Sequence, residues 1–182
     1  GPHRILALDG GGVRGMITLE FLDAIEHLLR QRYNNPNYVL ADYYDLIGGT
    51  STGAIISSGL ALDLSVDELI SLYQRLGPEV FGKNAGDGVF LQSKFESKKL
   101  RRALHSVLST KTIGSEDLKT GLAIHAKRID TGSAWVVTNH PLGIFYDPPG
   151  DSGTFPNKRY RLTDLVLASA AAPTFFDEIT ID

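Results

Sequence analysis

The sequence of 182 residues contains no cysteine, which excludes disulfides, thiolate metal sites and cysteine nucleophiles. That absence is compatible with a cytoplasmic setting. No apolar run reaches the roughly 18 residues that a membrane-spanning helix needs. Positive charge is also scarce, with 18 Lys and Arg against 21 Asp and Glu and a net charge of −3. Nucleic-acid binding usually requires a basic face, so no such partner is expected. The short run Lys98-Lys99-Leu100-Arg101-Arg102 reads as a solvated helix face. Neither an internal repeat nor a low-complexity tract is visible.

The remaining composition is that of an ordinary soluble domain, 42 % hydrophobic and 21 % charged. The length fits one domain. Gly1-Pro2 reads as an expression remnant, so residues 1–3 are taken as entry and 4–182 as the domain.

Apolar Ile5–Leu8 reads as a buried strand, followed by the glycine-rich string DGGGVRG at 9–15. A helix is predicted over 15–33, with Ile17, Phe21, Leu22, Ile25, Leu28 and Leu29 as its apolar face and Asn34-Asn35-Pro36 as its stop. Tyr43–Ile47 reads as a second strand and Ala54–Leu62 as a helix too apolar to be exposed. Ser65-Val66-Asp67-Glu68 matches a capping box that opens a further helix, with Leu69, Leu72, Tyr73 and Leu76 inward. After an irregular segment, Gly77–Gln92, come a helix over about 94–109 and strands at Leu122–Ile129 and Ala134–Thr138, joined by a turn at Asp130-Thr131-Gly132. His140–Lys158 reads as a long surface loop. Thr163 is expected to cap a last helix through Ala171, and Thr174–Ile181 to begin another strand. Strands alternating with helices imply an α/β fold with a mainly parallel sheet covered on both faces.

Two turns carry the chemistry. Gly49-Thr50-Ser51-Thr52-Gly53 fits G-x-S-x-G between strand and helix, the pattern of a nucleophile elbow. Glycines flank the bend because side chains there would clash, and the helix N-terminus favours anionic oxygen nearby. The other turn, Asp9–Gly15, can aim consecutive backbone N–H groups into one concavity. As a phosphate cradle it matches G-x-G-x-x-G over Gly10, Gly12 and Gly15, but residues 29–35 lack the acidic partner such sites use, and Asp9 would crowd a pyrophosphate. Its other use is an oxyanion hole built from the amides of Gly11, Gly12 and Arg14. Both turns lie at the carboxyl ends of strands, where open α/β sheets place their sites.

A serine nucleophile needs a base within hydrogen-bond reach. His3, His27 and His105 read as peripheral, and His125 as core or sheet surface. His140, before Pro141, is the one histidine worth entertaining, although a turn-stabilising role suits it better.

The blocks ILALDGGGVRG, DLIGGTSTGAI, LAIHAKRIDTGSAWVVTNHP and LASAAAPTFF, in this order, resemble the patatin-like phospholipases from about residue 4 to the end. The resemblance implies a three-layer α/β/α sandwich and a Ser-Asp dyad that hydrolyses ester bonds of phospholipids or related acyl lipids. Under it Ser51 is the nucleophile, Gly10, Gly11, Gly12 and Arg14 form the oxyanion loop, and Gly49 and Gly53 shape the elbow. It implies no metal and no cofactor. The family's aspartate stands in an Asp-Gly-Gly or Asp-Gly-Ala motif downstream of the block at Ala170–Phe176. Asp182 is a candidate for it, but it comes only nine residues after Pro173, so the base is expected beyond it and the domain is read as truncated on its C-terminal side. The alternative is a non-catalytic lipid- or nucleotide-binding regulatory module. Val80-Phe81, Val89-Phe90-Leu91 and Leu142–Tyr146 are apolar clusters that read as loop anchors or as peripheral membrane contacts.

Overall fold

In a computed structural model the protein is described over residues 2–76, 100–171 and 179–181. The chain opens with β1 (Ile5–Leu8), a 3-10 turn (Gly12–Arg14) and α1 (Gly15–Tyr33). A short α2 (Leu40–Tyr43) leads into β2 (Leu46–Thr50), followed by α3 (Thr52–Ala61) and α4 (Val66–Leu76). Residues 100–108 form α5. β3 (Gly121–Lys127), β4 (Ala134–Thr138), a 3-10 turn (Asn157–Arg159) and α6 (Leu162–Ala170) complete the order.

The four strands lie in the order β1-β2-β3-β4. β1 and β3 both run parallel to β2, with Leu8 opposite Gly49 and Thr50 opposite His125, whereas β4 is antiparallel to β3. The α/β class and the mainly parallel sheet expected from the sequence are therefore observed. Side chains alternate across a sheet, and the register puts Leu8, Ile47, Leu122, Ile124 and Val137 on one buried face against α3 and α6. The other face carries Ile5, Ala7, His125 and Val136, all exposed. Helix α3 is buried all round, as its Ala-Ile-Ile and Gly-Leu-Ala content demands. Each fully buried Leu or Ile of this core, such as Leu19, Ile47, Leu60 and Leu122, contributes about 1.5–3 kcal/mol.

Several local expectations are corrected. The α1 face turned to the core is Gly15, Leu19, Leu22, Glu26 and Leu29. Ile17, Phe21 and Leu28 form a neighbouring stripe and are 58 %, 69 % and 64 % exposed. Two apolar stripes share this helix, and periodicity alone does not say which one is buried against α4. The second strand starts at Leu46, not Tyr43, because residues 40–43 make a helical turn, and Gly48 and Gly49 belong to the strand. Thr163 does not cap α6: the helix begins at Leu162 behind Arg161, and the buried Thr163 hydroxyl has no partner among the described residues. Residues 179–181 have no regular structure, while Gly77–Gln92, residues 94–99 and most of the expected last strand lie outside the described residues.

Other local signals hold. Asn34 ends α1 in the left-handed conformation at φ 47°. Ser65 and Glu68 form the capping box, with N–H to carboxylate at 2.8 Å and N–H to hydroxyl at 3.3 Å. A second device joins α1 to α4. Buried Glu26 accepts from Arg30 at 2.6 Å and from the Val66 N–H at 3.2 Å, so a side chain on α1 satisfies an orphan donor at the start of α4. Its Oε2 is buried and makes no hydrogen bond of normal geometry among the described residues. Burial raises the Glu26 pKa, opposed by the Val66 N–H and by the Arg30 charge.

Candidate active site

β2 hands over to α3 through one residue, Ser51. Its backbone has φ 52° and ψ −119°, a conformation that favours glycine and costs a side-chain-bearing residue about 1–3 kcal/mol. Close backbone approach on both sides makes this bend possible. A Cβ on Gly49 would stand 2.2 Å from the Gly53 carbonyl oxygen, and one on Gly53 would stand 2.1 Å from the Leu8 carbonyl oxygen. No side chain fits at either position, so the start of α3 packs directly on the end of β1.

The glycine loop lies against the same bend. A Cβ placed on Gly10 would fall 2.8 Å from the Ser51 Cβ and 3.5 Å from its Oγ. The threonines flanking Ser51 hold the loop from two sides. The Gly10 N–H donates to Thr50 Oγ1 at 3.1 Å, and Thr52 Oγ1 donates to the Gly12 carbonyl at 3.4 Å. Gly12 adopts φ 57°. The Arg14 N–H donates to the Gly11 carbonyl at 3.1 Å, so this amide is committed to the turn. The N–H groups of Gly11 and Gly12 make no hydrogen bond among the described residues. Ser51, Gly10, Gly11, Gly12, Gly49 and Gly53 are thus one cluster, with Arg14 at its margin and its side chain exposed.

Behind the bend, Ser51 donates its N–H to Ser169 Oγ at 2.8 Å, and Ser169 donates its hydroxyl proton to the His125 carbonyl at 2.6 Å. Gly15 packs where a Cβ would touch Thr52 and Tyr73, and the Tyr73 hydroxyl donates to the Thr52 carbonyl at 3.2 Å. Burial raises the Tyr73 pKa, so its hydroxyl is a proton donor at neutral pH. The sequence reading missed Thr50, Thr52, Tyr73 and Ser169. The two threonines stand in the x positions of the elbow motif and could have been suspected, whereas Ser169 follows Ser51 by 118 residues and lies in the block LASAAAPTFF, whose pattern does not tie its hydroxyl to the elbow.

The histidines contribute no hydrogen bond to Ser51. The His125 side chain is exposed on the open sheet face. His140 accepts the Leu142 N–H at Nδ1, a turn-stabilising bond, near the amino end of β3 and therefore at the rim opposite Ser51. A groove of about 650 Å³ opens at that opposite rim, between Arg4, Tyr43, Asp45, Lys119 and His140, and includes none of the elbow or loop residues. Among the described residues no group of His, Asp and Glu is arranged to hold a metal ion, and no helix is long and apolar enough to cross a membrane. Asp182 lies outside the described residues.

These features define a class of α/β protein that presents a serine on a strained strand-to-helix bend beside a glycine-rich turn. The chain matches the patatin-like phospholipase family over residues 6–182, and it belongs to that family. It is 30 % identical over 179 residues to Patatin group A-3 of Solanum tuberosum, covering 94 % of this chain and 43 % of the relative. It is 29 % identical over 183 residues to a cGAMP-activated phospholipase of Vibrio cholerae, covering 95 % and 49 %. A cGAMP-activated phospholipase of Escherichia coli is 30 % identical over 177 residues, covering 95 % and 47 %. The chain spans less than half the length of these relatives.

Proposed function

We propose that this domain is the acyl hydrolase core of a phospholipase A-type enzyme, with Ser51 as the nucleophile. The observation that carries the proposal is the strained Ser51 bend held against a loop whose Gly11 and Gly12 N–H groups are unengaged. Backbone donors held in place before reaction are what a developing oxyanion needs, and each is worth about 3–4 kcal/mol in the transition state. The N-terminus of α3 adds favourable potential at the same point.

In this mechanism Ser51 Oγ attacks the ester carbonyl carbon while a carboxylate accepts its proton. The tetrahedral oxyanion rests on the Gly11 and Gly12 amides. The carbon–oxygen bond to the lysolipid breaks, and the lysolipid alkoxide leaves with the proton held by the carboxylate. Water then attacks the acyl-enzyme, passing its proton to the same carboxylate. Fatty acid departs and the proton returns to Ser51. The carboxylate belongs to the family's Asp-Gly-Gly or Asp-Gly-Ala motif, C-terminal to α6, with Asp182 the candidate within this chain. A buried carboxylate is the better base here, because desolvation raises its pKa toward neutrality. The substrate is a phospholipid or a related acyl lipid, met by peripheral contact with a membrane from the cytoplasmic side.

The test is fatty-acid release from phosphatidylcholine vesicles by the full-length protein and its Ser51→Ala variant, with fluorophosphonate labelling in parallel. Loss of both release and label, with the fold intact by circular dichroism, is expected. Hydrolysis that survives Ser51→Ala overturns the assignment.

A further inference from the structure

We infer that the Ser169 hydroxyl is a positioning residue for the Ser51 nucleophile, bridging the last β2–β3 rung and thereby holding the elbow in its strained state. The inference rests on Ser51 being the nucleophile and adds a second side chain to that site.

The geometry is specific. The regular β2–β3 ladder ends at the pair Thr50–His125. One residue further on, the chain must leave the sheet, because Ser51 turns to φ 52° and α3 begins at Thr52. The Ser51 N–H therefore has no strand to donate to directly. It reaches the His125 carbonyl through one inserted hydroxyl, 2.8 Å from Ser51 N to Ser169 Oγ and 2.6 Å from Ser169 Oγ to His125 O. A serine hydroxyl suits this place because it donates one proton and accepts another through the same atom. Neither a carbonyl nor an ammonium group could do both.

The bridge matters because the bend is costly and persists only if its surroundings over-determine it. Close glycine contacts fix the bend on the β1 side, at Gly10 and Gly53. On the β3 side the Ser169 bridge holds the Ser51 backbone. Without it, Ser51 would keep a partly buried N–H with no acceptor, which is unfavourable. Relaxing toward ordinary φ would swing Oγ away from the amides of the glycine loop. Ser169 is also the penultimate residue of α6, so the bridge sets the position of the helix end relative to the nucleophile.

The experiment compares Ser169→Ala, Ser169→Cys and Ser169→Thr in the full-length protein. It measures kcat and KM on phospholipid vesicles, the second-order rate of fluorophosphonate inactivation, and the thermal midpoint. A misplacement of about 1 Å costs about 100-fold in rate, so Ser169→Ala is expected to lower kcat and the inactivation rate together by about that factor, with KM unchanged. Ser169→Thr keeps the hydroxyl and is expected to restore both rates. Ser169→Cys keeps the size but offers only a weak sulfur donor and acceptor, and is expected to behave like Ala; it also serves if Ala does not fold. Wild-type kcat in Ser169→Ala or Ser169→Cys overturns the bridge, as does failure of Thr to rescue. Activity in Ser51→Ala overturns the nucleophile instead, so the two failures are distinguishable.

Discussion

Gly53 lies against the backbone of Leu8, with its missing Cβ directed at the carbonyl oxygen from a distance of 2.1 Å. The contact joins the first turn of α3 to the end of β1, the two segments that bring Ser51 and the glycine loop together. Gly53→Ala cannot be absorbed by a rotamer change, because the obstacle is main chain. The expected cost is about 3 kcal/mol or more, at the upper end of overpacking effects. Denaturant unfolding checks it, and a loss under about 1 kcal/mol would show that β1 and α3 separate easily.

Ser51 itself should trade stability for function. Its φ of 52° strains any residue with a Cβ and suits glycine. Ser51→Gly is expected to be inactive and more stable than the parent by about 1 kcal/mol. Ser51→Ala keeps the strain and should be inactive without that gain. Thermal unfolding of the two variants side by side decides; equal midpoints would mean that the bend carries no strain.

Glu26 makes stability depend on pH. Burial raises its folded pKa above the unfolded value, so the native state holds this proton more tightly than the unfolded chain does. The resulting stabilisation is complete below the unfolded pKa and is lost as pH rises through the folded pKa. Glu26→Gln removes this titration. As pH rises from the unfolded pKa through the raised folded one, the stability of the parent relative to Glu26→Gln should therefore fall. The slope is the readout, since the lost Arg30 bond shifts the whole curve. A difference independent of pH would contradict the assignment.

The apolar loop after β4 is not packed down. Leu142 is 87 % exposed and Ile144 is 81 % exposed, which removes the loop-anchor reading for these two. The loop leaves the sheet at Asn139, whose N–H donates to the carbonyl of Leu122 near the amino end of β3, whereas Ser51 follows the carboxyl end of β2. A bilayer docked there would hold the serine away from the lipid. Leu142→Ser with Ile144→Ser is thus expected to leave vesicle flotation and fatty-acid release unchanged. Loss of both would place membrane contact at this rim. The clusters at Val80-Phe81 and Val89–Leu91 lie outside the described residues.

The sequence disclosed the elbow and the glycine loop because both are local. A glycine forced by main-chain contact leaves a mark at one position, and Gly49 and Gly53 are such marks on either side of Ser51. The Ser65-Glu68 box and the Asn34 stop were readable for the same reason. Choosing between the two apolar stripes of α1 was not possible, because the choice depends on which stripe α4 meets, and Glu26 lies on the buried one. The strand expected at Tyr43–Ile47 is present but starts at Leu46, because aromatic content suits a strand and a short helical turn equally well. Ser169 was invisible because its bonds go to backbone atoms of Ser51 and His125, and backbone atoms carry no residue identity.

The Gly49, Gly53 and Leu8 contacts, main chain on main chain, also bear on how such a domain can diversify. Where shape is fixed by absent side chains, neighbouring substitutions have little to adjust, and selection or engineering for a new specificity must act elsewhere. Side chains around the bend are free to change, while the bend beneath them stays as it is.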